Sequence, residues 1–358
     1  MAECGRLDSS HFDSDVHVID EMRGQTKATT TTETVGAVRF HHRRRRDHAS
    51  RRATRSSVAL DSAKSSPVEL FTTSDGTRLE VRVSKPATPT KDAAPLVFVH
   101  GSYHAAWCFD ERFVEYFNDR GRITACVSLR AHGASERPKD PKATVAGSLE
   151  RHAEDIAEIL ERDETLRGCE RPAVLFGHSF GGLVAQRCLA DGRARVSGLG
   201  LLASVPPSGN SEMVKRFLKR DLWASLKITY AFITKAFGRD PALCRECFFS
   251  PDLSDADAKR FASLIDASST LRMLDLKALN ASLPVPKPQP GTPNASAPVL
   301  VLGGDSDFVV DREGLDETAK FYDTDAVVLP RVAHDVMLDV RWRDAADAIH
   351  DWLVANNL

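Results

Sequence analysis

"PAVLFGHSFGGLVAQRCLA" spans residues 172 to 190 and passes from an apolar stretch through a small-residue turn into an amphipathic run, with one serine at the bend. Ala173, Val174, Leu175 and Phe176 form the short continuous apolar run of a strand buried on both faces of a parallel sheet. Leu183, Val184, Cys188 and Leu189 then recur at helical spacing, so the element after the turn is a helix with one buried stripe. Ser179 stands between the two on a sharp bend, where the backbone leaves no room for side chains two positions to either side. Gly177 and Gly181 meet that need. This G-x-S-x-G turn lifts a serine hydroxyl above a sheet and points a helix N-terminus at it.

A serine is a poor nucleophile without a base and an acid to orient that base. Working outward, "APVLVLGGDSDFVV" (297 to 310) reads as another buried strand, Val299 to Leu302, ending in two glycines and the acids Asp305 and Asp307. "DAVVLPRVAHDVMLD" (325 to 339) reads as a strand followed by a loop that carries His334. Along the chain the serine, the two acids and the histidine stand in that order. Both partners also fall just beyond strand ends, where such sheets place their ligands.

Four segments together resemble the α/β-hydrolase superfamily of serine hydrolases over roughly residues 95 to 358. "FVHGSYHAAWCF" (98 to 109) is similar to the His-Gly segment after the third strand, and "SLRAHGAS" (128 to 135) to the loop after the fourth. "GHSFGG" (177 to 182) is the elbow and "AHDVMLD" (333 to 339) the histidine loop. The resemblance implies Ser179 as nucleophile, His334 as general base and Asp307 as the orienting acid. The resemblance also prefers Asp307 to Asp305, since in that family the acid commonly stands three residues after the glycine that closes the strand, here Gly304. The implied oxyanion donors are the backbone N–H groups of Ser102 and Phe180. Tyr103, His104, Trp107 and Trp223 are the candidate pocket residues.

The reaction so implied is hydrolysis of a carboxylic ester through an acyl-enzyme, with thioesters and lipid esters served by the same parts. Neither a metal nor an organic cofactor is expected, and the partner is a small-molecule ester or lipid substrate. A carbon–carbon lyase of the same fold is the rival, since "HGSYHAAW" resembles plant methyl esterases and hydroxynitrile lyases alike. Those lyases usually carry Thr where this chain has Gly101, which tilts the reading towards hydrolysis. An epoxide hydrolase would need an aspartate at position 179. A non-enzymatic receptor can also retain an intact triad.

Along the chain, "VELFTTSDGTRLEVRV" (68 to 83) reads as two strands around an Asp75-Gly76 turn. Strands follow at 96–100, 123–129, 172–177, 197–203, 298–303 and 325–330, with helical patterns at 145–162, 180–191 and 341–355. This alternation means a mostly parallel sheet with helices on both faces, an α/β-hydrolase fold over residues 67–358. Between Pro206 and about Leu283 the strands stop and "VKRFLKRDLWASLKITYAFITKAF" and "LSDADAKRFASLIDASSTL" are helical, the second opening on a capping box of Ser254 and Asp257. An insertion after the sixth strand is where the family the chain resembles carries its lid, so the resemblance implies a helical cap over residues 206–290, with Trp223, Tyr230, Phe232, Phe248 and Phe249 as its apolar surface and a lipophilic substrate group beneath. "PVPKPQPGTPNASAP" (284 to 298) is the extended proline-rich return.

Residues 1–66 carry the cluster "HHRRRRDHASRRATR" and too few large apolar residues to fold, so they are expected to be a disordered leader. Residues 1 to 21 contain six acids, whereas the stretch from Met22 is rich in Arg, Ser and Thr. That composition suits import into a plastid or mitochondrion as well as a basic tail on a cytoplasmic enzyme. The 358 residues carry a formal net charge of −2, which argues against general affinity for nucleic acid, and no 18-residue apolar run marks a transmembrane helix. The seven cysteines are scattered, which suits reduced thiols, and the lone pair Cys244-x-x-Cys247 has no second pair with which to hold zinc.

Overall fold

A computed structural model describes residues 66–269 and 271–358. All but the last residue of the expected leader lies outside the described residues. β1 (Val68–Thr72) and β2 (Arg78–Ser84) are followed by β3 (Leu96–Val99), α1 (Trp107–Asp110), α2 (Phe113–Asn118) and β4 (Thr124–Val127). Then come β5 (Val145–Gly147), α3 (Leu149–Arg162), α4 (Glu164–Arg167), β6 (Val174–His178), α5 (Phe180–Asp191) and β7 (Gly198–Leu202). The next stretch contains α6 (Ser211–Arg220), α7 (Leu222–Thr234), α8 (Pro241–Phe248), α9 (Asp255–Ser268), β8 (Arg272–Leu274) and α10 (Leu276–Ala281). β9 (Val299–Gly304), α11 (Arg312–Phe321), β10 (Ala326–Leu329) and α12 (Trp342–Ala355) complete the chain.

The main sheet has the order β1-β2-β4-β3-β6-β7-β9-β10. β2 runs antiparallel to both β1 and β4, and every pairing from β4 to β10 is parallel. From β3 the chain first steps outward to β4 and later resumes on the other side of β3 with β6. The strand order therefore reverses between β3 and β6, and the crevice beyond their carboxyl ends is where an open α/β sheet forms a site. The loop carrying Ser102 leaves β3 there, and Ser179 leaves β6.

Alternation along the strands divides the core between the two faces. Leu96 and Phe98 of β3, with Val174 and Phe176 of β6, join Phe109, Phe113, Phe117 and Leu353 on one face. Val97, Val99 and Leu175 join Leu79, Ile156, Leu183 and Leu199 on the other. Each phenylalanine so buried contributes roughly 1.5–3 kcal/mol. Both faces are covered, which is why these strands read as continuous apolar runs rather than alternating ones.

Two expectations change in detail. Residues 145–162 are not helical throughout: Val145–Gly147 pairs in parallel with Arg272–Leu274 as a separate two-stranded sheet. The helix begins only after Ser148, whose hydroxyl accepts the Arg151 N–H at 3.2 Å. The run from Val214 is broken at Asp221, whose carboxylate caps α7 by accepting the Ala224 N–H. Ser254 caps α9, accepting the Asp257 N–H at 3.0 Å while its hydroxyl donates to the Asp257 carboxylate. Phe237, Phe248, Phe249 and Phe261 of this helical segment belong to the same core as Phe98. The segment thus has no separate core of its own. Cys244 and Cys247 are buried on α8, and burial pushes the Cys247 thiol up to about 12.

Candidate active site

Ser179 is the residue between β6 and α5, with φ 54° and ψ −124°. A non-glycine residue held there stores about 1–3 kcal/mol of strain, so its surroundings must over-determine it. They do so through the backbone: the Ser179 N–H donates to the Leu202 carbonyl at 3.1 Å, and its own carbonyl accepts from Gly182 at 3.0 Å and Val205 at 3.2 Å. A Cβ at position 177 would lie 2.4 Å from the Gly181 oxygen, and one at 181 would lie 2.2 Å from the His100 oxygen. The two glycines are therefore required by the closeness of neighbouring backbone, not by turn geometry alone.

The acid and the base come from two further strand ends. Asp307, in the loop after β9, accepts the Nδ1 proton of His334 at 2.8 Å through Oδ2. Its Oδ1 accepts the backbone N–H groups of Val309 at 2.6 Å and Val310 at 3.0 Å, which aims the carboxylate. Asp305 serves elsewhere, accepting the Arg331 N–H at 2.7 Å. His334 is buried, and burial lowers the affinity of its ring for a proton. The Asp307 charge and hydrogen bond, with the Asp335 charge behind them, outweigh that and raise its pKa above the ordinary value. With Nδ1–H committed to Asp307, Nε2 is the nitrogen left to take a proton.

The loop after β3 lies directly over the serine, since a Cβ at Gly101 would come within 2.7 Å of Ser179 Cβ. His100 donates from Nδ1 to the Gly101 carbonyl at 2.7 Å and accepts the Leu129 N–H on Nε2 at 2.9 Å. These two bonds fix its neutral tautomer, and burial holds its pKa well below the ordinary value. Phe180 opens α5, so its N–H has no carbonyl four residues back to bond.

The candidate pocket residues have separate fates. Tyr103 is half-buried and donates its hydroxyl to the Phe232 carbonyl at 2.8 Å. Buried Trp107 donates Nε1–H to the Ser268 hydroxyl at 2.8 Å and stacks on Phe261. Trp223 corrects the sequence expectation, because it is 81% exposed on α7 and faces solvent. Tyr230, on the same helix, is also exposed. Phe232, Phe237 and Phe248 of the segment reach the site loops, through contacts with Tyr103, His104 and His334.

Three residues without an expected role stand among these. His178, next to the serine, donates from Nε2 to the His334 carbonyl at 3.0 Å, and burial brings its pKa to about 3. Asp339 accepts the Ala333 N–H at 2.8 Å and the Ser250 N–H at 3.1 Å, tying the histidine loop to the end of α8. Asp335 follows His334 directly and bonds His104. The signal for it was visible, an acid beside the base in "AHDVMLD", but its partner lies 231 residues away. His178, His334 and Asp335 bring one possible ligand atom each within 4.8 Å of one another. Hydrogen bonds account for that grouping: His334 Nδ1 is given to Asp307 and His178 Nε2 to a carbonyl.

A family model described as "Alpha/beta hydrolase family" matches residues 96–348. Among solved structures, a monoacylglycerol lipase from Paleococcus ferrophilus is 22% identical with a TM-score of 0.53, the match covering 80% of this chain and 99% of that one. A putative aryl esterase from Burkholderia cenocepacia is 17% identical at TM-score 0.56, covering 81% and 99%. A bromoperoxidase from Bacillus anthracis is 15% identical at TM-score 0.57, covering 80% and 99%. Likeness at this level speaks for the fold, which serves different chemistries in these proteins.

Proposed function

The chain belongs to the alpha/beta hydrolase family, and from that premise we propose that it is a serine hydrolase cleaving a carboxylic ester through an acyl-enzyme. The observation that carries this reading is the buried 2.8 Å contact of His334 Nδ1 with Asp307, with His334 bonded through its carbonyl to His178, the residue next to the strained Ser179. Ser179 Oγ attacks the ester carbonyl while His334 Nε2 takes its proton, and the same proton then goes to the departing alcohol. Water deprotonated by His334 attacks the acyl-enzyme, and collapse of the second tetrahedral adduct returns the proton to Ser179. The N–H groups of Ser102 and Phe180 face the developing oxyanion, each such donor being worth about 2.7–4 kcal/mol. The helical segment over residues 206–290 serves as the cap, its Phe232 and Phe248 beside the site loops and a lipophilic substrate group against them.

Gly101 favours hydrolysis over the lyase reading. A threonine there would bring a Cβ to 2.7 Å from the Ser179 Cβ, so the loop could not keep its present course. The test is turnover of p-nitrophenyl esters together with fluorophosphonate labelling of the wild type and of Ser179→Ala. Multiple turnovers and labelling in the wild type, both lost in a variant with unchanged circular dichroism and Tm, are the expected result. Retained turnover in Ser179→Ala overturns the mechanism.

Among the described residues no helix is long and apolar enough to cross a membrane.

A further inference from the structure

His104 stands two residues beyond Ser102, and Asp335 directly follows His334. Their side chains meet at 2.8 Å, Nε2 to Oδ2, at exposures of 1% and 0%. The other ring nitrogen, His104 Nδ1, lies 2.9 Å from the Ser102 carbonyl oxygen. Both partners of the ring are acceptors, so both bonds are made in full only when both nitrogens carry protons. A carboxylate this deeply buried needs such a paired donor. Burial raises the Asp335 pKa, but His104, then His178 and His334, outweigh it and hold the group below the usual carboxylate range.

We propose that His104 and Asp335 form a positioning couple, which locks the Gly101–His104 turn and its Ser102 N–H in register with His334 and Ser179. The proposal rests on the serine-hydrolase reading above. The turn cannot hold itself, because Tyr103 sits at φ 68°, which disfavours a side chain, and the closing bond from His104 N–H to the Gly101 carbonyl is long at 3.4 Å. His104 grips it from inside through the Ser102 carbonyl, and Asp335 grips His104 from the histidine loop. Asp335 is itself anchored: its N–H donates to the Phe248 carbonyl at 2.9 Å, and its carbonyl accepts from Leu338 at 2.8 Å and Asp339 at 2.9 Å. One loop thus carries two His–Asp contacts, His334 with Asp307 for the chemistry and Asp335 with His104 for the geometry.

The charge of Asp335 also acts on the base. Around it stand His104, His334 and His178, whose Nε2 lies 3.7 Å from Oδ1, with the thiols of Cys108 and Cys244 beyond. Around His334 stand Asp307, Asp335 and His178. Two aromatic rings also pack against His104, Trp107 stacked on it and Phe248 edge-on to it. Removing the Asp335 charge therefore takes away one of the influences that raise the His334 pKa. A purely structural pair would not move that titration.

The experiment measures kcat, KM and the pH profile of kcat/KM on a p-nitrophenyl ester for wild type, Asp335→Asn, His104→Gln, the double variant and Ser179→Ala. The single variants are expected to lose kcat by about tenfold or more, short of the 10²–10³ that loss of a whole oxyanion donor costs, with KM within about twofold. The acid limb moves to lower pH in Asp335→Asn and in the double variant, which lack the charge, but not in His104→Gln, which keeps it. Should Asp335→Asn not fold, the double variant, a neutral amide pair of similar volume, gives the same reading of the limb. Folded variants with wild-type kcat, or with an acid limb that stays in place without the Asp335 charge, overturn the couple while the hydrolase reading stands. Equal turnover in Ser179→Ala and wild type overturns both.

Discussion

Asp305 and Asp307 are chemically identical and two residues apart, yet the fold gives them different partners. Asp307 receives the His334 ring, whereas Asp305 receives the Arg331 backbone N–H at the surface. Asp307→Asn should therefore lower kcat by about 10⁴ through loss of the correct histidine tautomer, while Asp305→Asn should stay within a few-fold of wild type. Steady-state kinetics of the two variants check this, and the reverse ranking would reassign the acid. The same contact sets the pH dependence. His334 must be neutral to accept a proton, and its pKa is raised by Asp307 despite burial, so kcat/KM should fall on the acid side around a midpoint above the ordinary ~6.5. In the sequence Asp307 was preferred only through the resemblance, which places the acid three residues after the glycine that closes the strand. His104, by contrast, was legible only as a possible pocket wall, because nothing local to "HGSYHAAW" announces a carboxylate 231 residues further on.

At the scale of elements, the elbow was readable because its constraint is local: apolar strand, helix stripe and the two glycines all lie between Ala173 and Leu189. The short strand β5 was not readable, because Val145–Gly147 becomes a strand only by pairing with Arg272–Leu274. The outward face of α7 escaped for a related reason, since aromatic content does not say which side of a helix finds a partner. Trp223→Ala should accordingly change stability by no more than ~0.5 kcal/mol and leave kcat/KM on small esters unchanged. A large loss of activity would return Trp223 to the pocket. Asp311 offers the contrast: it caps α11 through the Gly314 N–H at 3.0 Å and holds Arg216 of α6 with two bonds of 2.7 Å. Asp311→Ala should cost about 1–2 kcal/mol, the cap together with the pair, measured as a fall in denaturant midpoint.

For the whole molecule, the histidines set a pH limit on stability. Burial brings His132 and His178 to about 3 and His152 to about 4. Below the ordinary ~6.5 the unfolded chain binds protons that these folded sites, and buried His100 with them, refuse, so stability must fall as pH drops, by at most about 5.4 kcal/mol per pH unit for four such groups. His334, with its raised pKa, acts in the opposite sense but only above about pH 6.5, where the folded site holds a proton that the unfolded chain releases, so it adds no slope below that pH. Tm should therefore decline steadily from about pH 6.5 towards pH 4, and a flat Tm between pH 6.5 and pH 5 would contradict the burial of these rings. The strands of the main sheet and the glycine-flanked turn at Ser179 were legible in the sequence alone, because each depends on periodicity or glycine placement within a short window. Asp307 and His334 as partners of Ser179 were implied only by the resemblance that four separate motifs carry together. The tertiary structure decided what depends on meetings across the chain: which aspartate faces His334, which way Trp223 points, and that His104 and Asp335 form one buried pair. Such contacts are selected by packing and by the need to satisfy buried charge, and neither condition is written in the residues next to them.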